Sequence, residues 1–272
     1  MLSTNTPMDR NLKEALSKVP AITLTFWIIK ILATTLGEIG GDAVTMSWLG
    51  ETTPHASAAA WHPGYLIGTA IFAVIFAIAV ALQIRARTFN PWMYWITIVA
   101  STTVGTTLAD FADRSLGIGY TGGSTLLLAL LLASLFAWYR TTGTIAVDSV
   151  SDARSELFYW LTITFSQTLG TALGDWVADT QGQGYVGGIV IFGGLLVVVA
   201  LLYFTTKISR TALFWAAFVL TRPLGAVVGD FLDKPLAKGG LDLSRYTGSI
   251  ALLVTIALCI VVFPQRPAIR EH

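Results

Sequence analysis

Four aspartates recur in apolar stretches of this chain, and each closes the same short phrase, Gly-x-x-x-(Gly or Ala)-Asp. They are Asp42, Asp110, Asp175 and Asp230. A charge at bilayer depth costs at least ~2.5 kcal/mol on insertion scales, and such residues usually face a bundle interior or a solute pathway. Because oxygen ligands without His or Cys favour Mg²⁺, Ca²⁺ or Mn²⁺, the chemistry expected of this set is binding of a hard divalent cation or of protons.

Further oxygen-bearing side chains lie on the helix face of each aspartate, four and seven residues earlier. The four rows are Thr35, Glu38 and Asp42; Thr103, Thr106 and Asp110; Thr168, Thr171 and Asp175; Pro223, Ala226 and Asp230. The predicted metal ligands are Glu38, Asp42, Asp110, Asp175 and Asp230. The predicted second shell or vestibule comprises Asp113, Asp179, Asp233, Thr35, Thr106, Thr171 and Gln167. The alternative without a functional role is that the aspartates lie at helix ends that are already exposed to water.

Two cations, Lys30 and Arg222, fall within the same apolar stretches. Five predicted ligand carboxylates against these two cations leave a formal surplus of three negative charges (5 − 2 = 3). Lys30 and Arg222 either form ion pairs that make buried carboxylates tolerable, or act as internal counter-charges that occupy the site when a substrate cation has left. Pro223 follows Arg222 and is expected to kink or break its helix, because proline lacks a backbone donor.

The composition indicates an integral membrane protein. Hydrophobic residues make up 54% of the 272 residues, charged residues only 12%, and the mean hydropathy is +0.68. Eight apolar stretches have about the ~20 residues that a helix needs to cross the bilayer. They span about 21–42, 64–84, 92–110, 121–139, 156–178, 185–206, 212–232 and 246–263. We predict an all-α fold of eight transmembrane helices.

Four internal repeats organise these helices into hairpins. Each aspartate follows a tryptophan by fifteen residues, and the tryptophans are Trp27, Trp95, Trp160 and Trp215. Indole prefers the headgroup interface, so each tryptophan is expected to anchor its helix there. The return helices open with Gly64-Tyr65, Gly119-Tyr120, Gly184-Tyr185 and Arg245-Tyr246. We predict one membrane domain over 1–272, with parallel repeats at about 21–87, 90–140, 154–207 and 210–264 and a cytoplasmic linker at 141–156.

The distribution of Lys and Arg predicts the orientation. Most of these residues fall at the termini and in the connections on the same side, and the opposite connections carry Arg114, Lys234, Lys238 and Arg245. By the positive-inside bias both termini are cytoplasmic. The net charge of +1 gives no sign of nucleic-acid binding, and the single Cys259 excludes both a disulfide framework and a thiolate metal site. His55 and His62 in the first outer loop are interpreted as ordinary loop residues.

From about residue 21 to 263 the chain resembles a family of bacterial membrane proteins built of four tandem two-helix repeats with a characteristic tryptophan. That family is catalogued as a repeat of unknown function and as membrane-anchored proteins. The resemblance rests on Trp27, Trp95, Trp160, Trp215 and the four Asp phrases. It implies a multi-pass protein of the bacterial inner membrane and a role in manganese efflux, carried over onto the Asp positions only. The fourth repeat departs from the pattern at Arg222, Pro223 and Ala226.

The leading functional hypothesis is a secondary transporter that exports a divalent cation, with Mn²⁺ favoured, and exchanges metal for protons at its carboxylates. The first alternative is a passive cation channel or a proton-coupled carrier of another small solute. The second alternative is a non-transporting scaffold or sensor in which the Asp phrases only hold helices together. We expect no enzyme, no catalytic residue and no permanently bound cofactor. The expected partners are the lipid bilayer and the transported ion, and a homo-oligomer is left open.

Overall fold

A computed structural model describes residues 16–51 and 63–269 of the chain. Within these residues the chain forms eight α-helices and one pair of short β-strands. The helices are α1 (Leu24–Asp42), α2 (Pro63–Arg85), α3 (Pro91–Asp110), α4 (Gly119–Thr142), α5 (Ala153–Asp175), α6 (Gly184–Thr205), α7 (Arg210–Asp233) and α8 (Arg245–Val262). The strands are β1 (Leu16–Pro20) and β2 (Pro267–Ile269). The prediction of eight helices is confirmed.

Six of the eight helices are long and apolar enough to cross a membrane, namely α1, α2, α4, α6, α7 and α8. This is the pattern of a multi-pass membrane protein. The other two helices, α3 and α5, carry many threonines and serines on buried faces, among them Ser101, Thr106, Ser166 and Thr171. Their lower hydropathy therefore reflects a position inside the bundle, where neighbouring helices cover them.

The odd-numbered helices form an inner ring in which α1 packs on α3, α3 on α5, α5 on α7, and α7 on α1 again. The even-numbered helices surround this ring. Each of them covers the inner helix of the following repeat: α2 packs on α3, α4 on α5, α6 on α7, and α8 on α1. The repeats are therefore interlocked around a closed ring.

Glycines at the predicted Gly-x-x-x-small phrases close the ring. At each interface the glycine five residues before an aspartate receives the side chain that lies eight residues before the next aspartate. The four contacts are Gly37 with Thr102, Gly105 with Gln167, Gly170 with Arg222, and Gly225 with Thr34. A Cβ at any of these glycines would overlap its neighbour. Small residues of this kind let helix backbones approach closely.

Each inner helix begins at a side-chain cap and ends near its aspartate. The caps are Thr23, Asn90, Asp152 and Ser209, whose side-chain oxygens accept hydrogen bonds from first-turn backbone amides. We call the capped end of the bundle the Trp end and the opposite end the Asp end. After the first three aspartates the chain continues in wider π-helical turns, Ala43–Trp48, Phe111–Ser115 and Trp176–Thr180. In the fourth repeat, α7 remains α-helical to Asp233, and Pro223 does not break it.

Aromatic side chains fill the interior of the bundle at the Trp end. The residues sixteen before each aspartate, Phe26, Tyr94, Tyr159 and Phe214, are all buried, and the hydroxyls of Tyr94 and Tyr159 lie 2.6 Å apart. Three of the four repeat tryptophans, Trp95, Trp160 and Trp215, are also buried in this cluster. The prediction that these tryptophans anchor their helices at the headgroups is wrong for these three, because their rings pack inside the bundle.

The end segments of the chain meet in an antiparallel pair of β1 and β2, which the all-α prediction did not include. Lys18 in β1 forms a buried ion pair with Glu156, with Nζ and Oε1 2.6 Å apart, and donates to the carbonyl oxygen of Ile84 at 3.1 Å. The polar segment predicted as a linker at 141–156 is shorter in the structure, because α4 runs to Thr142 and α5 begins at Ala153.

Candidate functional site

The four aspartates come together at the Asp end as two pairs, each sharing one cation. In the first pair, Lys234 lies between repeats 4 and 1. Its Nζ is 3.0 Å from Oδ1 of Asp230 and also contacts Oδ2 of Asp42. Met46 Sδ lies 3.8 Å from the same nitrogen. Asp42, Asp230 and Lys234 are all buried, so the ammonium group is the shared counter-charge of two carboxylates inside the bundle. We call this group the lysine junction.

In the second pair, Arg114 lies between repeats 2 and 3. Its Nη2 is 3.3 Å from Oδ1 of Asp110 and 3.2 Å from Oδ2 of Asp175. Its Nη1 donates to the hydroxyl of Tyr65 at 3.2 Å, and Tyr120 forms a further side-chain hydrogen bond with Arg114. The guanidinium group is thus held by side chains from three repeats. We call this group the arginine junction.

Sequence reasoning missed Arg114 and Lys234, which it placed in the connections opposite the termini. Each lies four residues after an aspartate of its own repeat, a spacing that brings acid and base together on a helix. The signal was therefore visible as Asp-x-x-x-(Arg or Lys) in repeats 2 and 4. Asp113 and Asp233 are buried as well, so with all of these residues counted the surplus of negative charges stays at three (7 − 4 = 3).

One turn toward the Trp end, a second buried polar layer surrounds Glu38. Arg222 Nη2 is 3.0 Å from Oε2 of Glu38, donates to Oγ1 of Thr106 at 2.6 Å, and contacts Oγ1 of Thr171. Thr106 Oγ1 lies 3.3 Å from the same glutamate oxygen. Side chains from all four repeats, on α1, α3, α5 and α7, therefore meet at this level. Arg222 is the counter-charge of Glu38, and the predicted Thr106 and Thr171 fix its position.

Three of the five predicted ligands form a group that could hold a metal ion. Glu38, Asp42 and Asp230 each offer one carboxylate oxygen, and these oxygens lie within 4.8 Å of one another. All three residues are buried. Carboxylate oxygens alone are the donor set of a hard divalent cation, so the chemistry of the group fits Mg²⁺, Ca²⁺ or Mn²⁺. Asp110 and Asp175 belong instead to the arginine junction.

Lys30 does not pair with any of these carboxylates. It is fully buried, and its Nζ has no hydrogen-bond partner among residues 16–51 and 63–269. The nitrogen instead lies 4.2 Å from the ring centroid of Phe218. Of the two predicted counter-charges, Arg222 therefore reaches the acidic group, whereas Lys30 faces an aromatic ring.

The remaining predicted residues lie around these groups. Thr35 Oγ1 donates to the Ile31 carbonyl of its own helix, and Gln167 Nε2 donates to Ser101 Oγ at 3.4 Å. Asp113 is buried behind α4, where its carboxylate faces Gly123. Asp233 is buried and paired with Arg245, whereas Asp179 is exposed. His55 and His62 lie outside the described residues.

Three tyrosines cover the two junctions, and sequence reasoning gave them no role at the site. Tyr65, Tyr120 and Tyr185 are the tyrosines of the Gly-Tyr openings, and each covers the aspartate of the following repeat. Tyr65 interacts electrostatically most strongly with Asp110 and more weakly with Asp42, Tyr120 with Asp175 and more weakly with Asp110, and Tyr185 with Asp230 and Lys234. The repeated Gly-Tyr pair was the available signal. We call Tyr65, Tyr120 and Tyr185 the tyrosine collar.

Fold and site together define a class of protein with eight helices in four interlocked tandem hairpin repeats, whose inner ring encloses paired acidic and basic side chains. The chain belongs to the family described as Repeat of Unknown Function (DUF347), whose model matches residues 25–89, 93–144, 158–209 and 213–264. The resemblance drawn from the four tryptophans and the four Asp phrases is thereby confirmed. No curated protein and no solved structure matches the chain.

Proposed function

We propose that the protein is a secondary transporter that exports a divalent metal cation across the bacterial inner membrane, with Mn²⁺ the favoured ion. The observation that carries the proposal is the buried group of Glu38, Asp42 and Asp230, whose oxygens approach within 4.8 Å of one another. A desolvated acidic group of this kind requires cations, and in the structure these are Lys234, which binds Asp42 and Asp230, and Arg222, which binds Glu38.

The placement of all eight helices across a bilayer is part of this proposal. The outer helices expose large apolar side chains, for example Ile75 on α2, Val190 on α6 and Val254 on α8. Such a surface is suited to lipid. With Arg114 and Lys234 buried in the junctions, only Lys238 and Arg245 remain of the basic residues assigned to the side opposite the termini. This supports a cytoplasmic location of both termini.

Transport is proposed to work by exchange between the metal and the Lys234 ammonium group. The ammonium binds the oxygens of Asp42 and Asp230. A metal ion that uses the same oxygens must displace the ammonium, and the returning ammonium expels the metal. Lysine suits this role because its charge is compact and its stem is flexible. Arg222 stays in place through Thr106 and Thr171, and so keeps Glu38 at the site.

A carrier fits the interior better than a passive channel. The Trp end is filled by the buried aromatic layer, in which the rings of Phe26 and Tyr94 lie 6.5 Å apart and those of Phe26 and Phe214 6.2 Å apart. An ion pathway through this layer requires the aromatic side chains to rearrange. The conformation described here is therefore assigned to a state that is closed at the Trp end.

Uptake of Mn²⁺, Ca²⁺ and Mg²⁺ into proteoliposomes, with and without a pH gradient, tests the proposal. We expect Mn²⁺ flux that is lost in Asp42→Asn and Asp230→Asn, and that responds to the gradient if the carboxylates exchange the metal for protons as well as for the ammonium group. Asp179→Asn is the matched control, because it removes an exposed carboxylate from the same end of the bundle and should retain flux. No flux of any of the three ions, together with no effect of these ions on thermal unfolding, would overturn the proposal.

A second candidate function is a membrane scaffold, and the ion pairs between repeats favour it. Lys234, Arg114 and Arg222 each bond a carboxylate from another repeat, so the same residues could serve only to hold the ring together. Thermal unfolding of the purified protein separates the two functions. A transporter of divalent cations is stabilised by its ion, and the effect disappears in Asp230→Asn. A scaffold unfolds at the same temperature with and without the ion.

A further inference from the structure

The tyrosine collar is incomplete at one position. Three outer helices begin with Gly-Tyr, and their tyrosines face the junctions, but α8 begins with Arg245-Tyr246. Tyr246 is 55% exposed, whereas Tyr65 is 0% exposed. Because α8 covers α1, the outer helix next to Asp42, a member of the candidate metal group, places no buried tyrosine at the lysine junction, and Asp42 interacts only with Tyr65 of α2 among the collar tyrosines.

An ion pair occupies the position at this gap. Arg245 Nε bonds Oδ2 of Asp233, and Arg245 Nη1 donates to Ser47 Oγ at 3.2 Å. The Asp233 side chain is only 1% exposed, while that of Arg245 is 20% exposed. Asp233 directly precedes Lys234 in the chain, so the partly exposed ion pair adjoins the lysine junction.

Two cavities adjoin this ion pair, and Asp233 lines both. The larger, of about 340 Å³, is also lined by Ser47, Asp242, Ser244 and Arg245. The smaller, of about 210 Å³, lies between α1, α7 and α8 and is mostly apolar. A water molecule takes up ~30 Å³ of liquid volume, so the larger cavity has room for a hydrated ion.

We infer that the gap in the tyrosine collar is the entrance by which a hydrated divalent cation reaches Asp42 from the Asp end. The Asp233–Arg245 ion pair is its gate. Arg245 acts as a positioning residue, because it holds Asp233 away from an entering ion. When Arg245 moves toward solvent, Asp233 becomes free to receive the ion next to Lys234. The identity of the ion rests on the proposed function, whereas the location of the entrance rests on the cavities and on the missing tyrosine.

Reactivity of a cysteine at position 46 tests the entrance without any transport measurement. Met46 is buried beside Lys234, on the same π-helical turn as Ser47, which accepts a hydrogen bond from Arg245. The chain has a single cysteine, so Met46→Cys is introduced into full-length Cys259→Ala protein. The probe is a cationic methanethiosulfonate reagent. We expect Arg245→Ala to raise the labelling rate roughly tenfold, because loss of a hydrogen bond between charged groups opens the gate more often.

Matched variants isolate the gate from general effects of charge or folding. Lys238→Ala removes an exposed positive charge from the same connection and should leave the labelling rate unchanged. Arg245→Lys retains the charge, and its labelling rate should stay close to that of the parent. Asp233→Asn should accelerate labelling as Arg245→Ala does. Because the two variants break the same ion pair from opposite sides, the test does not depend on the correct folding of one variant. Equal labelling rates in Arg245→Ala, Asp233→Asn and Lys238→Ala would overturn the inference.

A second measurement connects the entrance to the cation. In the Cys259→Ala background, Ser244→Cys carrying a bulky maleimide adduct should slow Mn²⁺ uptake, because Ser244 lines both cavities. The control is Gln183→Cys with the same adduct, since Gln183 precedes α6 as Ser244 precedes α8. Equal uptake in the two labelled proteins argues against this entrance. Faster labelling at position 46 in Arg245→Ala without any Mn²⁺ flux would leave the entrance standing and remove the proposed function.

Discussion

The lysine junction and the arginine junction are built from the same positions of different repeats, yet they differ in how firmly their cation is held. Arg114 bonds Asp110, Asp175, Tyr65 and Tyr120. Lys234 bonds Asp42 and Asp230 and contacts the soft sulfur of Met46, and Tyr185 interacts with it electrostatically without a hydrogen bond to the ammonium group among the described residues. A planar guanidinium fixed by several partners keeps two carboxylates in one geometry, whereas a lysine ammonium is a point charge on a flexible stem.

This difference indicates that the two halves of the pseudo-symmetric ring have different functions. At the arginine junction the carboxylates are engaged by a cation that remains charged at any physiological pH. At the lysine junction Glu38 adds a third carboxylate to Asp42 and Asp230, and the gap in the tyrosine collar lies beside it. We therefore assign structural support to the arginine junction and ion exchange to the lysine junction.

The largest expected effect comes from removing the central cation of each junction. Arg114→Met leaves Asp110 and Asp175 buried without a counter-charge, so we expect a loss of about 3–5 kcal/mol in the free energy of unfolding. Thermal unfolding of purified protein, with and without millimolar Mn²⁺, measures this loss. Mn²⁺ should not restore the stability of Arg114→Met.

Lys234→Met is the matched variant at the other junction. It should lose a comparable amount of stability without metal, and Mn²⁺ should restore much of it, because Glu38, Asp42 and Asp230 can then bind the ion. Restoration by Mn²⁺ in both variants, or in neither, would show that the two junctions do not differ in the way argued here.

The next largest effect tests whether the ring is packed equally tightly at both junctions. A Cβ at Gly225 would overlap Thr34, and a Cβ at Gly105 would lie 2.8 Å from Cβ of Gln167. Gly225→Ala and Gly105→Ala should each destabilise the protein by about 1–3 kcal/mol through overpacking. Gly193→Ala on α6 is the control, because no atom lies within 4 Å of its added Cβ. A much smaller loss for Gly225→Ala would indicate that the helices at the lysine junction already move apart.

Much of the architecture could be predicted from the sequence, because the repeats and the membrane-spanning stretches are both visible as recurring patterns of residues. The fixed interval between Trp27 and Asp42, repeated three more times, predicts four equivalent helices, and the apolar stretches predict their partners. The order in which the outer helices cover the ring could not be predicted, because a hairpin can also pack on itself. The buried positions of Trp95 and Trp160 could not be predicted either. A tryptophan near a helix end is typical of the interface, and only neighbouring rings determine that it faces inward.

The sequence predicted the acidic residues of the candidate site but not its basic residues. Asp42 and Asp230 stand out because a carboxylate is rare in an apolar helix. Arg114 and Lys234 follow the apolar stretches and so resemble ordinary loop residues, although the spacing of four residues from an aspartate was visible. Arg114 lies in the π-helical turn after Asp110, whereas Lys234 follows the uninterrupted α7 and is buried against Asp42 and Met46 of repeat 1, and both arrangements are properties of the assembled ring.

Replacing the lysine by arginine at one junction, or the arginine by lysine at the other, should affect stability less than the variants above. The two replacements should differ in their effect on transport. Lys234→Arg keeps the charge at the lysine junction but adds a bidentate fork that binds both carboxylates. We expect Mn²⁺ flux to fall roughly tenfold, equivalent to about 1.4 kcal/mol of additional binding to the carboxylates. Proteoliposome uptake measures the flux, and thermal unfolding confirms that the variant is folded. Arg114→Lys is the control and should change stability more than flux. A larger loss of flux in Arg114→Lys than in Lys234→Arg would place the exchange at the other junction.

The smallest expected effect distinguishes the complete part of the tyrosine collar from its gap. Tyr65→Phe removes the hydroxyl that accepts a hydrogen bond from Arg114 at 3.2 Å, so we expect a loss of about 1 kcal/mol in the free energy of unfolding. Tyr246→Phe should change stability by less than about 0.5 kcal/mol, because Tyr246 is 55% exposed. Thermal unfolding of both variants in the same detergent measures the difference. Equal losses would mean that Tyr246 covers Asp42 as the other tyrosines cover their aspartates, and the ring would then have no entrance at repeat 1.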